Sequence, residues 1–300
     1  MEILQALHPA ALIAIVALFG LMVGSFLNVV ILRFPRRLFW DWRSQCRELL
    51  AADGQSPGVP GAADAGPAAV EAEPPGLVVT RSHCPDCKKT IAWYDNIPVA
   101  SWLILKGRCR HCGKPISSRY PVVELVTAIL SVTVIATLGP TVQGLAALIF
   151  TWMLIAASGI DFDHQLLPDQ FTLPLLWLGL ILNIFGIFTD LYSAVIGAVV
   201  GYMALWLVFQ TFKLLTGKEG MGFGDFKLLA AIGAWFGWQI LPLVILLASL
   251  LGAVIGVMLM LLKDRGREIP IAFGPYLALG GWVAMLWGES MLEIYWGGGF

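Results

Sequence analysis

The sequence predicts an all-α polytopic membrane protein of about eight transmembrane helices, with a small cytosolic zinc-ribbon-like insert between helices 1 and 2. Three observations predict it. Seven long apolar stretches fill a 300-residue chain that is 58% hydrophobic and 13% charged. Lys and Arg are confined to a few segments, and two Cys-x-x-Cys pairs lie in the one sizeable polar region.

Pro9–Leu32, Thr141–Ile160, Gln170–Thr189, Leu191–Phe212 and Ile269–Gly288 carry no charge. At ~1.5 Å per helical residue, each is long enough for a hydrocarbon core of ~30 Å. Val122–Leu138 is apolar apart from Glu124. Leu228–Leu262 is uncharged for 35 residues, and its internal "GWQILP" supplies glycine and proline for a hairpin turn. Split there, the run gives two spans and eight in all.

Charge then orients the chain. Thirteen of the 19 Lys and Arg lie between Arg33 and Arg119; Lys213, Lys218 and Lys227 flank a glycine-rich loop, and Lys263, Arg265 and Arg267 follow the seventh span. With eight spans all 19 fall on one face, which the positive-inside rule makes cytosolic. Glu2, Asp190, Glu289 and Glu293 fall on the other, and both termini lie outside. The sixth span, just after Asp225, has to be short or tilted. The first span lacks a basic n-region and is too long for a signal-peptide core, so it reads as an anchor. A net charge of −1 selects no partner, and no basic patch with interleaved aromatics points to nucleic acid.

Three regions follow: the first helix (1–32), a cytosolic insert (33–120) and a seven-helix membrane core (121–300). Residues 51–76, rich in Ala, Pro and Gly, read as a flexible linker with too little apolar surface to order itself. Beyond it, "CPDC" (Cys84, Cys87) and "CRHC" (Cys109, Cys112) offer four thiolates for one tetrahedral ion, with 21 residues between the pairs. In a reducing cytosol, zinc in a closed structural site is the expectation. His83 and His111 read as bystanders, and Cys46 as a free thiol.

Two carboxylates carry the chemistry. Asp161 closes the third span and Asp225 opens the sixth, so the topology gives them one membrane depth. Intramembrane acids are functional candidates by default. Two in one low-dielectric site do not readily both ionise, so one holds a proton while the other activates water. Asp163 is the rival to Asp161, although it and His164 read as solvated loop residues. Asp169, after Pro168, reads as an N-cap. Gly220, Gly222 and Gly224 permit close approach of backbone to a substrate.

"GSFLNVVILRFP", the paired Cys-x-x-Cys, "RYPVVELVTA", "DFDHQLLPD" and "GFGDFKLLAAIGAWFGWQ" occur in that order. Together they resemble the bacterial type IV prepilin peptidases, over nearly the whole chain apart from 51–76. The Gly-x-Gly-Asp element is also similar to that of presenilin-like proteases. The resemblance implies an inner-membrane aspartic endopeptidase with Asp161 and Asp225 as its catalytic pair. It implies prepilin and pseudopilin substrates with a short basic leader, cut at the cytosolic face. It also implies N-methylation of the new terminus with S-adenosylmethionine. Gly107, in "KGRC", matches a glycine associated with methylation, and the four cysteines match metal ligands. No dinucleotide-type glycine fingerprint is present. A methyl-donor site is therefore expected between the insert and the membrane helices, with Asn28 and Glu124 as candidates beside Gly107; both residues also read as interhelical hydrogen-bonding groups, and Glu124 as a snorkelling acid near the cytosolic surface. The competing readings are a peptidase without methylation, which the cysteine pairs oppose, and a proton-relaying transporter, which the lack of inverted repeats opposes.

Overall fold

The structure, a computed structural model, describes residues 8–52, 73–77, 81–262 and 272–296. The described chain is all-helical. Its α-helices are α1 (Pro9–Ala52), α2 (Ala100–Ile104), α3 (Arg119–Leu138), α4 (Val142–His164), α5 (Asp169–Ile184), α6 (Leu191–Thr216), α7 (Phe223–Phe236), α8 (Leu241–Leu262) and α9 (Gly274–Trp296). Five are long and apolar enough to cross a membrane: Pro9–Leu50, Arg119–Leu138, Val142–His164, Leu191–Thr216 and Leu241–Met258. Most of the 51–76 linker, Glu2, and the basic residues at 263–267 lie outside the described residues.

Helix α1 does not stop where its apolar stretch ends at Leu32. It continues through Pro35 to Ala52, because its second half still has something to pack against. Leu38 is buried, and the Phe39 ring lies 5.7 Å from that of His164 at the end of α4. Arg33 donates to the Gly76 carbonyl at 3.0 Å and Arg37 pairs with Glu73 at 2.9 Å, tying residues 73–77 to this extension.

α7 is the centre of the bundle. Every residue from Asp225 to Trp235 is buried except Lys227, with α5, α6 and α9 packed around it. Its "GWQILP" exit turns as expected: Gly237, at φ +83°, ends α7 and α8 starts at Leu241. Apolar burial gives little drive between helices already in lipid, so close backbone packing has to hold them. At Gly197 on α6 and Gly233 on α7, a Cβ on either would collide with the other's carbonyl oxygen. Gly20 and Gly24 of α1 meet α3 likewise, with Cβ positions 2.8 Å from the Ala128 Cα and 2.7 Å from the Glu124 Cα.

Asn183 closes the far end of α7. Its Nδ2 donates to the Ala234 and Trp235 carbonyls at 2.9 and 2.8 Å, and its Oδ1 accepts from the Phe188 and Thr189 N–H groups at 3.0 and 3.2 Å. One buried amide thus satisfies four backbone groups away from water. Asn183→Ala strands all four and is expected to cost about 2–4 kcal/mol, read as a lower denaturant midpoint in micelles.

Candidate active site and metal centre

Asp161 lies in the last turn of α4, which Gln165 ends in the left-handed conformation, its N–H bonding to the Asp161 carbonyl at 2.8 Å. Asp225 lies in the first turn of α7, after Gly222 at the N-cap. The two helices bring these carboxylates to one end of the bundle. Both are buried, at 5% and 7% exposure, and close enough for the charge of one to act on the other. Asp225 Oδ1 has no hydrogen-bond partner among the described residues. Asp161 Oδ2 accepts from the Gly274 N–H of α9 at 3.1 Å. Sequence reasoning passed over Gly274; the signal available was "FGP", four residues into the last apolar stretch.

Asp163 and His164 are not loop residues: both belong to α4. Asp163 pairs with Arg119, the first residue of α3, at 2.6 Å. Asp169 does not cap α5 either. Pro168 occupies the N-cap, and Asp169 pairs with Lys227 at 2.6 Å. Each buried aspartate thus has, two residues further on, an ion pair that pins its helix end to another. The flanking glycines differ in role. Phe212 fills the space beside Gly220 and Leu167 that beside Gly224, while a Cβ on Gly222 would lie 3.8 Å from Asp225 Oδ2. Gly220 and Gly224 therefore serve packing against the protein.

The two Cys-x-x-Cys pairs form matching knuckles. Cys84 N–H bonds to the Lys89 carbonyl at 3.0 Å and Cys109 N–H to the Lys114 carbonyl at 2.8 Å. Lys88 and Gly113, each just after a second cysteine, take φ of +58° and +69°. The sulfurs of Cys84, Cys87, Cys109 and Cys112 all lie within 4.8 Å of one another. Four sulfurs about 2.3 Å from a tetrahedral ion stand ~3.8 Å apart, and Cys84 Sγ lies 3.8 Å from Cys112 Sγ. The set fits a metal ion. Backbone N–H groups of Cys112 and His111 lower the Cys109 thiol to about 7. Cys112 is pushed up to about 11: the Lys114 N–H pulls it down, but desolvation and the neighbouring sulfurs outweigh that. Cys46 is an exposed free thiol on α1.

Between this ribbon and α1 and α3 lies a cavity of about 510 Å³, bordered by Asn28, Arg33, Trp102, Tyr120 and Glu124 among others. Asn28 Nδ2 donates to the Tyr120 carbonyl at 3.0 Å, while its buried Oδ1 lacks a partner among the described residues. Glu124 is buried rather than snorkelling, and accepts the Val99 N–H at 2.7 Å. Val99 is a β-branched residue at φ +58°, a conformation that persists only where its surroundings hold it. Gly107 is not on the cavity wall. It stands behind Trp102 at φ +66°, where a Cβ would lie 2.9 Å from the indole.

A membrane-spanning helical bundle with two buried aspartates near one end defines the class: a multi-pass membrane protein carrying a buried acid pair. Family models narrow it. The Bacterial Peptidase A24 N-terminal domain matches residues 18–138, and the Type IV leader peptidase family matches residues 148–257. The chain is 53% identical over 287 residues to the prepilin leader peptidase/N-methyltransferase of Aeromonas hydrophila, covering 96% of this chain and 94% of that one. The Pseudomonas aeruginosa protein of the same name is 50% identical over 294 residues, 97% and 95% of the two chains. That of Legionella pneumophila is 42% identical over 288 residues, 96% of each. No solved structure gives a significant match. The chain belongs to the type IV prepilin peptidase family.

Proposed function

We propose that this chain is a bifunctional membrane enzyme: an aspartic endopeptidase that removes the leader from type IV prepilins and pseudopilins, and an N-methyltransferase acting on the new N-terminus. The observation that carries the peptidase reading is the convergence of buried Asp161 and Asp225 from two helix ends. One carboxylate takes a proton from water as the oxygen attacks the scissile carbonyl carbon. The other gives its proton to the amide nitrogen as the C–N bond breaks. Asp163, committed to Arg119, stands outside this exchange; Asp163→Ala is expected to retain cleavage of a synthetic prepilin where Asp161→Ala loses it.

All eight apolar helices, α1 and α3 to α9, cross the bacterial inner membrane in this reading, with the insert and the dyad facing the cytosol. At 14 residues, α7 spans only ~21 Å, so it suits a buried, short sixth span whose first turn lies within reach of a peptide at the membrane surface. The chain divides into the membrane part of α1, up to Leu32, an insert at 33–120 that begins with the rest of that helix, and the membrane core at 121–300.

Zinc is the ion that suits Cys84, Cys87, Cys109 and Cys112, as a structural centre with no ligand position left for water. The cavity beside it has the size of a small-molecule site and takes the methyl donor, with Asn28 and Glu124 on its wall and Gly107 backing Trp102. When bound, S-adenosylmethionine supplies the methyl group. Asn28 Oδ1, buried beside the cavity, has no hydrogen-bond partner among the described residues, which leaves it an acceptor position to satisfy when the donor binds. Glu124 fixes Val99 and with it the wall of the cavity. Glu124→Ala releases that strained residue; methylation is expected to fall about 100-fold and donor binding by calorimetry to weaken, while cleavage persists.

Intact-mass analysis of a synthetic prepilin incubated with the purified protein and S-adenosylmethionine tests both halves. Loss of the leader with gain of one methyl group supports the reading. Leader loss alone removes the methyltransferase half, and an unchanged substrate with a folded, metal-bound protein removes both.

A further inference from the structure

We infer that Gly274 is a positioning residue for the peptidase: its backbone N–H holds the Asp161 carboxylate, and its lack of a side chain leaves the space that carboxylate occupies. The inference rests on Asp161 acting in catalysis. Gly274 is the first residue of α9, and its N–H is one of the helix's N-terminal donors that have no partner within the helix. Pro275 has no N–H, and those of Tyr276 and Leu277 bond to the Phe273 carbonyl at 3.1 and 3.2 Å. The Gly274 N–H remains, and it points to Asp161 Oδ2 at 3.1 Å in a buried setting.

Glycine is required there by space and not by backbone conformation, since Gly274 is not among the residues of positive φ. A Cβ would lie 2.5 Å from Asp161 Oδ2, 3.2 Å from its Cγ and 2.9 Å from Leu167 Cδ1. Leu167 is itself wedged against Gly224, whose Cβ position is 2.6 Å from the Leu167 Cβ. Segments from α4, α7 and α9 therefore meet with no slack around one carboxylate. The dyad is unequal as a result. Asp161 is held by an N–H from another helix, α9, whereas Asp225 has backbone support only from Gly222 at its own N-cap, and its buried Oδ1 has no partner among the described residues.

The test compares cleavage of a synthetic prepilin by wild type, Gly274→Ala, Leu167→Ala, the Gly274→Ala/Leu167→Ala pair and Asp161→Asn. Gly274→Ala is expected to lower kcat about 100-fold, the cost of a displaced catalytic group. KM and methylation of an already cleaved pilin stay at wild-type values. If Gly274→Ala alone does not fold, the pair decides, measured against Leu167→Ala: trimming Leu167 makes room for the methyl but leaves it against the carboxylate. A Gly274→Ala or paired variant with undiminished kcat overturns the inference. So does a parallel fall in kcat, methylation and midpoint, which marks a purely structural glycine. If Asp161→Asn itself cleaves at the wild-type rate, the catalytic reading of Asp161 falls, and this inference with it.

Discussion

Asp225→Asn is expected to abolish leader cleavage, by about 10⁴-fold, while the protein folds as before. The amide has nearly the shape of the carboxylate, so the buried first turn of α7 keeps its packing against α6 and α9. What disappears is the acid–base capacity: an amide neither takes a proton from water nor returns one to the leaving nitrogen. Leader cleavage of a synthetic prepilin, followed by mass, reads the effect directly. Methylation of an already cleaved pilin is the internal control, because the cavity at Asn28 and Glu124 is built from α1, α3 and the insert and not from α7. Full cleavage by Asp225→Asn would remove the dyad mechanism. A loss of proton-coupled flux with cleavage never observed would instead favour the transporter.

Cys84→Ser is expected to release the metal and unfold the ribbon. Structural zinc contributes roughly 10–16 kcal/mol of apparent binding free energy to small metal-held folds, more than this insert has any other means of supplying. Between residues 81 and 118 the described secondary structure is one short 3-10 turn, the five-residue α2 and two isolated bridges. Cys84 is also the most buried of the four cysteines, and its sulfur faces Cys112 across the site. Metal content by atomic absorption should fall from one ion per chain to none. Methylation should be lost with the cavity wall, while cleavage by the membrane core persists. Acid reproduces the effect in the wild type, because thiolates must be protonated to let the metal go. Retained metal at full stoichiometry in Cys84→Ser would rule out a four-thiolate centre.

Much of this was legible in one dimension. The apolar stretches are helices because their composition allows nothing else in lipid, where every backbone group must be bonded within the segment. The metal centre was legible because the Cys-x-x-Cys spacing is itself the local geometry of a knuckle. Asp161 and Asp225 were legible through topology, since charge distribution placed two separate helix ends at one depth. Asp163 and Asp169 were misread for a common reason. Their partners, Arg119 and Lys227, lie 44 and 58 residues away along the chain, and a cap or a loop is the reading that local sequence alone supports.

Sequence by itself determined the helical class and the pairing of four cysteines, because each is a property of composition or short-range spacing. Only the tertiary structure decided what those residues face. It set Gly274 against Asp161, held Val99 strained on Glu124, extended α1 past Leu32 onto the end of α4, and put Gly107 behind Trp102 and off the cavity wall. Each of these depends on backbone from a distant helix arriving within a few ångströms, and contacts of that kind leave no periodic trace in the chain that makes them.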